Sequence, residues 1–83
     1  MKILYFAWLK QKTGMASEDV APPADVTTVA ELADWLSGRS AGHAAAFANR
    51  KVVRVAIDQE FADYDAAIAG VREIAFFPPV TGG

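Results

Sequence analysis

The sequence predicts an α+β domain, a small sheet with one main helix packed across it. Two observations carry this. Short apolar, β-branched or aromatic runs stand at both ends of the chain, residues 2–8 and 73–77, with a third at 52–57. Between them lies a single well-marked amphipathic helix. The predicted order is β, β, α, short α, β, short β, β, which closes as a sheet with helix on one side.

Residues 2–8 (Lys-Ile-Leu-Tyr-Phe-Ala-Trp) form the first predicted strand. Alternation places Ile3, Tyr5 and Ala7 on one face and Leu4, Phe6 and Trp8 on the other. Both faces are apolar, so the face turned away from the helix is a partner surface or lies under a loop. Residues 9–14 make a helical turn or loop closing at Gly14. Residues 16–20 read as a second strand, stopped by Pro22-Pro23. Thr28-Val29-Ala30-Glu31 fits a capping box, with Thr28 as N-cap and Glu31 at the third helical position. Val29, Leu32, Ala33 and Leu36 follow at helical spacing, and Gly38 suits the C-terminal cap. Residues 41–49 are alanine-rich and read as a short second helix. Residues 52–57 form a strand with Val53, Val55 and Ile57 on one side. Asp58-Gln59-Glu60 turns, 61–64 returns, 65–70 connects, and 73–77 is the last strand, ended by prolines.

With 83 residues and a formal net charge of −2, the chain is one domain with a small core and no basic footprint for nucleic acid. Its longest apolar run, residues 3–9, is far short of the ~20 residues of a membrane span. No small-residue cleavage site follows that run, so a cytoplasmic location is expected. The absence of cysteine excludes disulfides, thiolate metal sites and a cysteine nucleophile. His43 is the only histidine, which leaves no paired-histidine metal site; it is expected to face solvent on the short helix and not to act in catalysis. No bound metal or cofactor is expected.

The ending Phe76-Phe77-Pro78-Pro79-Val80-Thr81-Gly82-Gly83 is the most informative segment. A carboxylate on two residues without side chains can pass into an active site too narrow for a Cβ. Pro78 and Pro79 fix φ, and Pro78 also holds Phe77 extended. The expectation is a body at 1–77 and an arm at 78–83, which spans on the order of 15 Å from Pro79 to Gly83 when extended. A plain strand stop accounts for the prolines alone, and a frayed end for the glycines alone; neither accounts for the stiff pair set directly before a glycine tip.

This ending, with the β-β-α-β-β order, resembles the small, sulfur-carrying subunit of molybdopterin synthase, a family with the ubiquitin-like β-grasp fold. Ile3-Leu4-Tyr5-Phe6-Ala7 and Ala56-Ile57-Asp58-Gln59 support the resemblance. Two departures stand out. Asp58 replaces the family's asparagine, and Ala69-Gly70-Val71-Arg72-Glu73 is longer and less acidic than the family's Asp-Gly-Asp-Glu, which is expected to alter a surface turn only. The resemblance implies a mixed four- to five-stranded sheet and a cycle of chemistry at Gly83. An ATP-dependent adenylating enzyme activates the Gly83 carboxylate, a sulfur donor converts it to a thiocarboxylate, and the tail (Pro78, Pro79, Val80, Thr81, Gly82) threads into the large, catalytic subunit. Two small subunits flank a dimer of large ones in a heterotetramer. This chain is then a non-catalytic sulfur donor. The resemblance also places Phe6, Phe61 and Phe77 at the partner interface, where aromatic anchors concentrate.

Three other readings stand beside it. A ubiquitin-like modifier would be conjugated through Gly83, a carrier for thiazole or cysteine synthesis would share only the Gly-Gly end, and a plain interaction domain would not need its tail. Ordinary core packing accounts for any one of the three phenylalanines, but not easily for all nine aromatic residues of so short a chain. Asp63 and Asp65 read as solvated turn residues, and Lys2, Lys10 and Lys12 as a solubilising cluster. Nothing in the pattern singles out Arg39 or Arg54.

Overall fold

The computed structural model describes residues 1–79. Its elements are β1 (Lys2–Tyr5), α1 (Trp8–Thr13), β2 (Ser17–Asp19), α2 (Val29–Ser37), α3 (Ala41–Ala46), β3 (Arg54–Ile57), β4 (Glu60–Ala62) and β5 (Glu73–Phe77), with a 3-10 turn at Arg50–Val52. The strands form one mixed sheet in the order β2-β1-β5-β3-β4. β1 and β5 pair in parallel, from Lys2 opposite Glu73 to Tyr5 opposite Phe76; every other pairing is antiparallel. The α+β class and the five-stranded mixed sheet are as the sequence predicts.

The core lies between one sheet face and the helices. Ile3, Tyr5, Val53, Val55, Ile74 and Phe76 from the strands meet Leu9, Val29, Leu32, Ala33, Leu36 and Ala46 from the helices. The capping box of α2 is complete: the Glu31 N–H donates to Thr28 Oγ1 (3.2 Å), and the Thr28 N–H donates to Glu31 Oε1 (3.2 Å). Gly38 does cap this helix, though at φ −82°, so the position makes no demand for glycine. Gly14, at φ +81°, does, and its N–H closes α1 on the Lys10 carbonyl.

The first strand ends earlier than expected. Ala7 takes φ +55° and breaks the extended chain, because Leu9 reaches full burial only if a helix starts at once. Trp8 therefore lies on α1, off the outer strand face where alternation put it. The third strand also starts late, since Arg50–Val52 coils first, and its partner is the three-residue β4. Between them Asp58 and Gln59 both adopt positive φ (47° and 72°), a hairpin reversal whose twist suits the flanking strands. The Asp58 side chain holds that turn to the start of β5: Oδ1 accepts the N–H groups of Glu73 (3.0 Å) and Arg72 (3.3 Å). An oxygen suffices for that role, so the exchange of asparagine for aspartate leaves the turn intact.

His43 corrects the expectation of a solvent-facing residue. It is 3% exposed, and its Nε2 lies 2.7 Å from Glu18 Oε2 while Nδ1 lies 2.7 Å from Ser40 Oγ. The Tyr5 hydroxyl donates to the same carboxylate oxygen (2.8 Å), and Arg39 Nε approaches Oε1 at 3.4 Å. Glu18 thereby ties β2, β1 and α3 together with no orphaned polar atom. Burial pushes its pKa up, but the hydrogen bonds from His43 and Tyr5 and the nearby positive charge outweigh this and hold it below the ordinary carboxyl value.

Two expectations follow from this packing. At Gly42 an added Cβ would overlap the Lys12 carbonyl oxygen across the α1–α3 contact. Gly42→Ala is expected to lower unfolding free energy by about 1–3 kcal/mol in denaturant titration; the gain that helix propensity alone gives would show that the two helices can part. A depressed Glu18 pKa adds stability above the unfolded value, lost as pH falls through the folded one. Acid titration of the melting temperature should therefore decline below the ordinary glutamate range, about pH 4.3. Glu18→Gln should flatten that decline, and an unchanged slope would assign it to other carboxylates.

Candidate functional site

The helices pack on one side of the sheet, and the other face carries no helix among the described residues. Register sets out what it carries. Leu4 lies opposite Ala75, Ala75 opposite Ala56, and Ala56 opposite Phe61, which makes one row across the four strands β1, β5, β3 and β4. The next row holds Phe77 opposite Arg54. Phe6 extends it on the other side: its N–H donates to the Phe76 carbonyl (3.1 Å), and alternation turns it away from buried Tyr5. The centre of this face is thus a shallow floor of two alanines, and aromatic rings stand around it.

Phe61 is 82% exposed and Phe6 48% exposed, whereas Phe77 is half-buried. The Phe61 and Phe77 rings lie 5.7 Å apart at 41°, a tilted pair that shields part of Phe77. Large apolar side chains left this open on a domain with so little surface mark a contact surface. The structure therefore brings all three expected aromatic positions to one face, with Phe77 in the last row before the tail. Pro78 and Pro79 follow it directly and are half-buried, so the chain leaves the sheet from within the aromatic cluster. The expectations for Val80, Thr81, Gly82 and Gly83 lie outside the described residues.

At the end of β3, β4 and β5 from which the tail departs, a groove of about 610 Å³ opens beside Phe61 and Phe77. Val53, Val55 and Tyr64 contribute apolar wall, and Arg50, Lys51 and Arg54 bring positive charge. The Tyr64 hydroxyl donates to the Val53 carbonyl (2.9 Å), and burial raises its pKa against the pull of Arg50 and Arg54, which keeps it a neutral donor. Sequence reasoning missed this groove. Arg50 and Lys51 belong to the 3-10 turn, and only the pairing of β3 with β4 brings Tyr64 near them.

The remaining candidates separate. Arg39 is spent inside the chain, on Glu18 and over the Trp35 ring at 5.0 Å. Asp63 and Asp65 are exposed turn residues, and Lys10 and Lys12 end α1 while Lys2 stands on β1. Among the described residues no group of His, Cys, Asp and Glu side chains is placed to hold a metal ion, and no helix is long and apolar enough to cross a membrane. The Glu18–His43–Ser40 chain joins three groups of the kind used in acyl transfer, but it lies outside the lining of the groove beside Phe77.

Comparison with known proteins gives consistent findings. The ThiS family model matches residues 3–83. The molybdopterin synthase sulfur carrier subunit of Escherichia coli K12 is 35% identical over 83 residues, covering 100% of this chain and 99% of that protein. Its counterpart in Haemophilus influenzae is 31% identical over the same shares. Among solved structures, the small archaeal modifier protein 1 of Haloferax volcanii superposes with a TM-score of 0.74 at 29% identity, covering 96% of this chain and 97% of that one.

The exposure difference among the aromatics separates docking from folding. Phe61→Ala should leave the unfolding free energy within about 0.5 kcal/mol of the parent but weaken binding of the partner subunit by about 2 kcal/mol or more. Phe77→Ala should lower both. Calorimetric unfolding and titration of the same variants check this; unchanged affinity in Phe61→Ala would remove the sheet face from the interface.

Proposed function

This chain belongs to the ThiS family, and we propose that it is the sulfur carrier subunit of a molybdopterin synthase, with Gly83 as the group that bears the sulfur. One observation above the others supports the reading: the similarity to two named sulfur carrier subunits is full-length, and the family match runs through residue 83. The aromatic face around the root of the tail is where a receiving protein would dock.

The chemistry follows from what a carboxylate lacks. As an anion it resists nucleophilic attack, so an activating enzyme spends ATP: a carboxylate oxygen of Gly83 bonds to the α-phosphorus and pyrophosphate leaves. Sulfur from a donor then attacks the acyl carbon and AMP departs, which leaves a thiocarboxylate. That group is a sulfur nucleophile carried on the main chain, which suits a protein with no cysteine. This chain needs no bound cofactor and supplies no acid or base; its parts in the step are to orient and to deliver. Proton transfers fall to the large, catalytic subunit, in a heterotetramer of two small and two large chains in the cytoplasm. Gly82 and Gly83 keep the tip narrow, and Pro78-Pro79 hold it away from the body.

The likeness to an archaeal modifier protein leaves a second use of the same activated terminus to be tested, transfer of the Gly83 acyl group to a lysine of another protein. One experiment distinguishes the two. The chain is incubated with its activating enzyme, ATP and a sulfur donor, and the tryptic peptide from Glu73 to Gly83 is weighed. A mass gain equal to replacement of one oxygen by sulfur is expected, and an extension of one residue past Gly83 should abolish it while leaving the fold intact. That peptide contains no methionine, so oxidation cannot imitate the gain. An unmodified peptide beside a demonstrably active enzyme would refute the carrier reading, and adducts of higher mass would point to conjugation.

A further inference from the structure

We propose that the groove at the root of the tail is a charge-selective dock for an acidic segment of the large subunit, which seats an apolar side chain against Phe61 and presents carboxylates to Lys51 and Arg54. The proposal rests on the carrier reading above and adds to it a recognition element that the aromatic face alone does not supply.

Charge distribution is the first argument. The chain carries eight Lys and Arg against ten Asp and Glu, yet three of those eight cations line this groove and only one acid, Asp63, does. Arg50 is largely spent, because its Nη2 pairs with Asp34 Oδ1 (2.6 Å) and Nη1 lies 3.5 Å from the Ala30 carbonyl. Lys51 and Arg54 are exposed, and neither makes an ion pair among the described residues. Arg54 lies opposite Phe77 on the outer sheet face, so its charge borders the place where the tail leaves.

The character of the wall points the same way. Val53, Val55, Ala62, Tyr64 and the Phe61–Phe77 pair make the groove mainly apolar, and it is open along one side. Two exposed cations on an open, mainly apolar wall hold a small free anion poorly. A peptide that buries an apolar anchor and places carboxylates at the rim uses both halves of the groove.

The location gives such a dock a purpose. An acidic surface is repelled by the chain's net negative charge, whereas at the root of the tail two cations unpaired among the described residues stand beside a single acid. The field therefore selects the approach that brings the tail root, and with it the tip, toward the partner's active site. Complementary charge acts mainly on the rate and orientation of encounter, and it weakens with salt.

The test compares the parent chain with Lys51→Glu, Arg54→Glu and the double variant, using the large subunit from the same organism. Association is followed by stopped flow at low and high ionic strength, with circular dichroism and thiocarboxylation of Gly83 measured alongside. Association of the double variant at low salt should be slower by about tenfold or more, with a flattened salt dependence and unchanged spectrum and sulfur loading. Parent-like rates and salt slope in the double variant, beside a parent chain that does bind, would overturn this proposal alone. Loss confined to sulfur loading would also overturn it, since the groove would then serve the activating enzyme. A parent chain that neither takes sulfur nor binds the large subunit would overturn the carrier reading itself.

Discussion

Everything in this molecule depends on the parallel pairing of the first and last strands at the centre of the sheet. Parallel neighbours cannot be joined by a hairpin, so the chain between them must cross the core face before it returns beside β1. The crossing runs from β2 at one edge to β3 and carries α2 and α3 over that face, where α1 joins them. It also fixes the neighbours of the chain end: β5 lies between β1 and β3, so Phe77 emerges beside Phe6 and opposite Arg54. A C-terminus on an edge strand would depart beside solvent on one flank. Here the strand that leads into the tail is flanked on both sides.

The size of the chain settles the second feature. Eighty-three residues supply helix enough for one sheet face, and the Glu18–His43–Tyr5 cluster shows how tightly that side is closed. On the other face the apolar area is left to intermolecular contact. Its distribution is uneven in a useful way: Ala56 and Ala75 keep the floor low, while Phe6, Phe61 and Phe77 stand above it. A partner can then approach the backbone closely at the middle and still bury aromatic rings at the sides, where most binding energy is concentrated.

Residues whose fate depends on local rules were legible in the sequence. The last strand falls on residues 73–77 as predicted, because β-branched and aromatic residues end there at a proline pair. The capping box from Thr28 to Glu31 is present in full, since it needs only a three-residue spacing. What escaped was set by partners distant along the chain. His43 looks like a surface residue on an alanine-rich helix until Glu18, twenty-five positions earlier, reaches it across the β2 edge. The end of β1 at Ala7 was hidden because the apolar run continues without a break, and only the demand of Leu9 for the core ends the strand. Of the site, the three phenylalanines could be named from alternation and resemblance. The groove could not, because its wall joins a 3-10 turn to a strand ten residues further on.

The separation of chemistry from recognition explains why both surfaces are needed. A glycine carboxylate is the same nucleophile or electrophile on any chain that carries one, and two glycines offer a partner almost nothing to recognise. Selectivity must therefore reside upstream of the tip, at a fixed offset from it. The proline pair begins that offset, because φ is fixed at two successive residues directly after Phe77. Apolar contact with a strip of rings is strong but poorly directional. Positive charge at one end of that strip removes the ambiguity, since only one orientation sets carboxylates against Lys51 and Arg54. On the carrier reading and the proposed dock, the aromatic face would supply the affinity, the groove the direction, and the tail the reacting atom.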